Sequence, residues 1–365
     1  MAKLLMISGY GATNLHAKGA FYNTLEEFHK HWERVDIICP RGSARGQTTQ
    51  YFGNVFVHES PWPIFLQPWF IARKGTELHQ THRFDLVTAH EYAPFYNGWG
   101  AYKLSKRIHV PYALEIMHIP GYPRAATLKE SVYRFLTGLV VPYESRAAQG
   151  VRVINEHETP HFLKRSGVLP KKIFYAPAFY IDMSVFHADG AEKKYDCIFI
   201  GRLAVNKGID LFLDAMKLGG FRALIVGDGP LKEHVRARVQ VEGLSDRIIM
   251  HGWASDSTEV ASLINQSRIL VMTSYNEGGP RVVLEAMACG VPVMATRVGI
   301  VRDVVPTARQ CDWIADDIAR KATLLLGDCE LYERARTDGL ETAKRFEKTD
   351  AIRVYADELK KVVTG

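Results

Sequence analysis

Residues 268–299 read RILVMTSYNEGGPRVVLEAMACGVPVMATRVG, and three elements follow one another in that stretch. Ile269–Thr273 is an apolar run of strand length. Pro280–Cys289 has the composition of a helix, and Val291–Ala295 is a second buried strand. The turn Glu277-Gly278-Gly279-Pro280 joins the first strand to the helix, at the carboxyl edge of a parallel sheet. Open α/β sheets bind their ligands at that edge. Gly278 and Gly279 let backbone approach a ligand closely. The unpaired N–H groups of the helix start, at Arg281 and Val282, favour an anion. Glu277 lies in the loop and Glu285 about one turn into the helix, its Cβ leaning back toward the N-terminus. Two carboxylates thus flank an anion site, where they suit hydroxyl groups of a ribose or a hexose.

The string Glu-Gly-Gly-Pro-x4-Glu-Ala-Met-Ala-x-Gly-x-Pro-Val, with its Glu277-x7-Glu285 spacing, resembles the donor-site motif of glycosyltransferase family 4. The resemblance implies the GT-B fold: two doubly wound, Rossmann-like parallel-sheet domains facing a central cleft. It also implies a retaining transfer from a nucleotide-sugar donor. A second match opens the other half of the motif, Gly201-Arg202-Leu203-x3-Lys207-Gly208, whose Arg and Lys hold the donor diphosphate in the family. The chemistry agrees, because a guanidinium grips two phosphate oxygens and an ammonium acts as a point charge.

At 365 residues the chain is long enough for two α/β domains, each with its own core. No apolar run reaches the length of a membrane span. The segment Leu4–Ser8 is too short for a signal peptide and reads as a first strand. Cys39, Cys197, Cys289, Cys311 and Cys329 are odd in number and lack metal-ligand spacing, which suits a reducing, cytoplasmic compartment. Charge is uneven. Residues 1–180 carry 21 Lys and Arg against 13 Asp and Glu, a net +8, while the remainder carries 25 against 27, a net −2. A basic half with no nucleic-acid motif points to a lipid phosphate or an anionic membrane surface, or to an incidentally basic face.

Along the first half, the loop after the first strand holds Gly9-x-Gly11, half of a dinucleotide fingerprint. Phe21, Leu25, Phe28 and Trp32 mark one face of the next helix. Family members carry paired glycines before this helix. Here the pair is Lys18-Gly19, where Gly19 keeps the backbone access and Lys18 has the reach to meet a phosphate. The aromatic stretch from Trp62 to Lys74 has two readings, a bilayer-interface segment or a helix packed on the sheet. Two strand ends carry histidines, His90 and His118. In the family a histidine at the position of His118 lies near the donor sugar and acceptor, and His90 matches a second cleft position. Arg124, Lys129 and Arg134 add charge to the following helix.

A polar stretch at 185–192 places the domain boundary at 187/188. The resemblance further assigns Gly252 and Trp253, at the end of a later strand, to the nucleobase, although Trp253 also suits a core position. The loop Thr296–Asp303 departs from the family, with Ile300 and Arg302 at positions of a usual Gly and Pro. The closing helix bears Ile352, Tyr355, Ala356, Leu359 and Val363 on one face. In GT-B chains such a helix, here 346–365, returns to the first domain (1–187), leaving 188–345 as the donor domain.

The resemblance, taken with these features, implies a retaining hexosyltransferase, moving a sugar from a nucleoside diphosphate to a glycan or lipid-linked acceptor in bacterial or archaeal surface glycan synthesis. Arg202 and Lys207 neutralise the leaving diphosphate, Glu285 holds the ribose, Glu277 the sugar hydroxyls, and His118 supports the reacting sugar. The backbone at Gly278, Gly279, Pro280, Arg281 and Val282 cradles the donor. No cofactor and no metal are expected, since there is no Asp-x-Asp pair. The rivals are a non-catalytic nucleotide-sugar-binding partner protein and a sugar-nucleotide epimerase or phosphorylase of the same fold. An NAD oxidoreductase is disfavoured by the missing third glycine.

Overall fold

The computed structural model describes residues 1–9, 19–42 and 46–364. Its chain forms two compact α/β units, one of residues 1–118, 135–178 and 349–365, the other of 119–134 and 179–348. The division at 178/179 lies ahead of the 187/188 boundary read from composition. The segment 119–134 is counted with the second unit, although in sequence it lies deep inside the first half.

The second unit is built on a six-stranded parallel sheet of β9 (Tyr195–Ile200), β10 (Ala223–Val226), β11 (Ile248–Gly252), β12 (Ser267–Met272), β13 (Val293–Thr296) and β14 (Gln310–Cys311). Their spatial order is β11-β10-β9-β12-β13-β14. This is the doubly wound order, in which the winding reverses between the first and fourth strands in sequence, here β9 and β12. A crevice opens outside the carboxyl ends of that pair. Both faces of β12 are covered. Ile269 and Val271 enter one core with Phe212 and Met216, while Leu270 and Met272 enter the other with Val283, Leu284 and Met287. Burial on both sides explains why the strand reads as an unbroken apolar run rather than an alternating one.

The first unit holds an eight-stranded sheet: β1 (Lys3–Ile7), β2 (Arg34–Cys39), β3 (Thr48–Tyr51), β4 (Val55–Glu59), β5 (Leu86–Glu91), β6 (Tyr112–Ile116), β7 (Gly150–Val153) and β8 (Ile173–Tyr175). Its order is β3-β4-β2-β1-β5-β6-β7-β8, parallel except for the β3/β4 pair. The helices used below are α1 (Ala20–Phe28), α2 (Gln67–His82), α3 (Tyr96–Ile108), α4 (Leu128–Ser145), α5 (Ile209–Gly219), α6 (Arg281–Ala288) and α7 (Lys348–Thr364). Helix α7 is part of the first unit, where Tyr355 stacks on Phe28 of α1 with ring centroids 4.7 Å apart.

The Trp62–Lys74 stretch divides its side chains. Gln67, Pro68, Phe70 and Ile71 are buried, whereas Ile64, Phe65 and Trp69 face solvent. Cys39, Cys197, Cys289 and Cys311 are buried thiols, Cys329 is exposed, and none of the five is in a disulfide. No described helix is long and apolar enough to cross a membrane.

Candidate functional site

The winding reversal of the second sheet brings the two sequence motifs together. After β9 the chain runs through Gly201 and Arg202 into a single 3-10 turn, Val205–Lys207, and then into α5. After β12 it runs through Ser274–Gly279 into α6. Across that crevice the ammonium of Lys207 is paired with the carboxylate of Glu277, 70 residues away in sequence. Gly208 sits at φ +65°, and a Cβ there would run into the carbonyl oxygen of Thr273. The position therefore requires glycine for both its backbone angle and its closeness to β12. Thr273 Oγ1 completes the clamp, donating to the carbonyls of Gly208 at 2.8 Å and Lys207 at 3.1 Å.

The loop that carries Glu277 is pinned from several directions. Ser274 Oγ donates to Glu277 at 2.9 Å. The Ser274 carbonyl accepts from Thr296 Oγ1 at 2.6 Å and from Trp313 Nε1 at 2.9 Å. Tyr275 N–H reaches the Asn206 carbonyl at 2.8 Å. Asn276 Nδ2 donates to the Arg124 carbonyl and to Glu130 Oε2, each at 3.0 Å. Gly299, at φ +50°, packs so tightly on the Gly278 carbonyl that a Cβ there would collide with it. The departing loop Thr296–Asp303 thus buttresses the Gly-Gly turn through its backbone. Its Ile300 and Val301 are core residues.

Pro280 is the N-cap of α6, not its first turn as the sequence suggests, and no side chain caps the helix. The leading N–H groups at Arg281 and Val282 are left for an anion or solvent. Glu285 stands 3.9 Å from Arg281 on the same helix. Burial raises its pKa, and the Arg281 charge offsets part of that rise. Arg281 also lies over the Tyr180 ring at 5.2 Å. Arg202 is exposed, with no ion pair among the described residues. Gly252, at φ +88°, ends β11, and Trp253 beside it is 71% exposed. A core role for Trp253 is therefore ruled out, and its ring is open at the ligand edge.

Arg124 departs from its expected place on a basic helix face. It precedes α4, and its guanidinium lies over Tyr275 at 5.2 Å and Trp313 at 5.7 Å. Arg134 donates to the Gly121 carbonyl at 2.9 Å. Sequence reading missed Arg124, Asn276, Glu130 and Trp313 as parts of this loop's setting. Nothing local signals them, because the partners lie up to 152 residues apart.

The first sheet's edge is organised differently. His118 is half-buried in the loop just past β6. His90, near the end of β5, is buried, with Nε2 3.3 Å from Glu115 Oε1 and Nδ1 3.5 Å from Ser8 Oγ. Glu115 is fully buried between His90 and Arg152, and Tyr355 Oη donates to it at 2.8 Å. Burial alone would raise the Glu115 pKa, but His90 and Arg152 outweigh it and hold the carboxylate well below its usual range. Arg152 donates in addition to the carbonyls of Ala176 and Pro177 and stacks on Tyr355 at 3.6 Å. Gly19 is the exposed N-cap of α1, with open space where a Cβ would stand. Lys18 lies outside the described residues.

Residues 185–341 match the family model for glycosyl transferases group 1. That span covers most of the second unit, including both motifs at the β9/β12 crevice. The chain is 32% identical over 154 residues to an uncharacterized glycosyltransferase of Methanocaldococcus jannaschii, covering 41% of this chain and 43% of that protein. It spans less than two thirds of the length of curated relatives such as this one. Over its whole length the chain is similar in structure to sucrose-phosphate synthase of Thermosynechococcus elongatus, with a TM-score of 0.78 at 18% identity, covering 100% and 99% of the two chains. It is also similar to Anabaena HepE, solved in complex with UDP and glucose, with a TM-score of 0.72 at 16% identity, covering 99% and 100%. The fold is thus that of the two-sheet GT-B glycosyltransferases, and the stretch that matches the group 1 family model spans most of the second unit.

Proposed function

We propose that this chain is a retaining, metal-independent glycosyltransferase of family 4. In this reading it moves a hexose-type sugar from a nucleoside diphosphate to a glycan or lipid-linked acceptor. The observation that carries the reading is the Lys207–Glu277 pair at the winding reversal of the second sheet, beside the uncapped start of α6. That arrangement offers cations and N–H groups to a diphosphate and carboxylates to sugar and ribose hydroxyls. Support for a uridine donor comes from HepE, a structural neighbour whose solved complexes hold UDP and UDP-glucose.

When the sugar–phosphate bond breaks, negative charge develops on the leaving diphosphate. Arg202, Lys207, Arg281 and the α6 N–H groups stabilise it, and such preorganised charges dominate catalysis of this type. Glu285 binds the ribose, Glu277 the sugar hydroxyls, and Gly252 and Trp253 the base. Gly278, Gly279, Pro280 and Val282 line the donor cradle. A covalent route needs a carboxylate under the anomeric carbon, and Glu277 is committed to hydroxyl binding. The acceptor therefore attacks from the leaving-group side, a donor phosphate oxygen takes its proton, and His118 supports the reacting sugar. Gly19 leaves backbone access for the donor. The protein works in the cytoplasm, at the inner face of an anionic membrane, in bacterial or archaeal surface glycan synthesis.

The test has two arms. UDP, GDP and ADP are compared for thermal stabilisation, since a ligand that binds the folded form raises its melting temperature by mass action. The preferred donor is then turned over in chelator and the fresh product examined by NMR. Retained anomeric configuration with activity undiminished by chelator is the expected outcome. An inverted anomer, or activity restored only by magnesium, would falsify the mechanism. Nucleotide binding without turnover would favour the non-catalytic rival.

A further inference from the structure

We propose that the face formed by α2, α3 and α4 in the first unit is a docking surface for an anionic lipid bilayer. This rests on the reading of a membrane-borne acceptor, and it gives that membrane a defined seat. Helix α4 carries two apolar faces. One side, with Thr137 and Val141, is buried in the unit. The other carries Phe135, Leu139 and Tyr143, at 65%, 57% and 53% exposure. Their spacing of four and four residues is that of a single helical face. A helix needs one apolar face to hold it on its sheet, so the second is left over from packing. Exposed apolar surface of this extent marks an interaction site.

The stripe continues across the neighbouring helices. Tyr143 meets Tyr102 of α3 at 6.0 Å, and Trp99 of α3 meets Trp69 of α2 edge-on at 5.2 Å. Phe65, just before α2, is 58% exposed. Cations lie over several of these rings. Lys103 Nζ lies 4.6 Å from the Trp99 ring, Lys106 Nζ 4.6 Å from Tyr102, and the Arg146 guanidinium 5.9 Å from Tyr143.

Charge selects the occupant. Helix α3 bears Lys103, Lys106 and Arg107 and no acidic residue. The two carboxylates of α4 are withdrawn: Glu144 is buried, and Glu130 accepts from Ala126 N–H and Asn276. Lysine is depleted at the core of protein–protein interfaces, whereas aromatic rings flanked by cations match the headgroup layer of a membrane. The pairing also lets each ammonium stay hydrated while its ring enters the acyl boundary.

The experiment is flotation of the full chain with phosphatidylcholine vesicles, with and without phosphatidylglycerol, at low and high salt. Nucleotide stabilisation is measured on the same preparation. Binding is expected only to the anionic vesicles and to weaken with salt. Lys103→Ala with Lys106→Ala should weaken it by roughly tenfold or more, given the attraction of each cation near an anionic surface. Phe135→Ser with Leu139→Ser should weaken it while leaving the salt slope in place. All four positions lie on this outer face, so nucleotide stabilisation should be unchanged in both variants. Equal partition onto neutral and anionic vesicles overturns the proposal. So does failure to bind either, or a dimer that covers these rings. A lost nucleotide response with vesicle binding intact would count against the donor site and leave the docking face standing.

Discussion

The two sheet edges solve the problem of placing charge in opposite ways. At the second sheet, Lys207 and Glu277 are partly open, at 26% and 14% side-chain exposure, and Arg202 is exposed, so the charges remain available to a ligand. At the first sheet, Glu115, Arg152, His90 and Tyr355 consume one another's charges and donors under almost complete burial. The first arrangement leaves charge open to solvent, as the proposed diphosphate site requires. The second ties β5, β6, β7 and α7 into one body. Strand-end charge thus reads as ligand-binding chemistry only where the neighbouring side chains leave it unspent.

The largest effect should come from breaking the buried network. Arg152→Met leaves Glu115 uncompensated in the core, and removing one partner of a buried ion pair costs about 3–5 kcal/mol. Urea unfolding should show that loss, and the double change with Glu115→Leu should recover most of it. A cost below about 1 kcal/mol for the single change would mean the network does not organise the unit.

Lys207→Ala and Arg202→Ala sharpen the other side of the comparison. Each should lower donor turnover by roughly a hundredfold or more, as loss of a preorganised charge stabiliser does. Stability should change by no more than about 1 kcal/mol, because partly exposed pairs are screened by solvent. Wild-type turnover in both variants would remove the site assignment.

The smallest effect concerns a second buried group of the first unit. Glu91 and Glu144 both crowd Gly98, where a Cβ would strike the two carboxyls. Burial raises both pKa values, to about 8 for Glu91 even though the N–H groups of Gly98 and Tyr92 pull it down. The Glu91 charge raises Glu144 further. A folded-state pKa raised above the ordinary 4.5 means the folded form keeps protons that the unfolded chain gives up. The associated stability is complete below the unfolded value and is lost as pH rises through about 8. The melting temperature should fall over that window, and Glu144→Gln should flatten the fall. An unchanged slope in the variant would show that the two carboxyls titrate independently of folding.

Much of the second unit was legible in the sequence because its chemistry is local. Each half of the proposed donor motif lies within a single strand–turn–helix step, so residue type and spacing carry the information. Gly208 and Gly278 mark their turns for the same reason. The aromatic stretch after Trp62 stood out by composition, but which rings face outward did not.

The sequence by itself determined the alternation of strands and helices and the two-sheet class, and it singled out Arg202, Lys207, Glu277 and Glu285 by their motifs. Tertiary structure alone decided which charges remain available. Glu115 looks like any strand residue until Arg152, His90 and Tyr355 converge on it from positions 37, 25 and 240 residues away. Arg124 looks like a surface cation until Tyr275 and Trp313 lie beneath it. The outer stripe of α4 is an ordinary helical period, and only the packing of its opposite face shows that it is left uncovered. The physical reason is common to all three. A period or a motif reports the backbone of its own segment, whereas burial and pairing depend on neighbours that the fold brings from elsewhere in the chain.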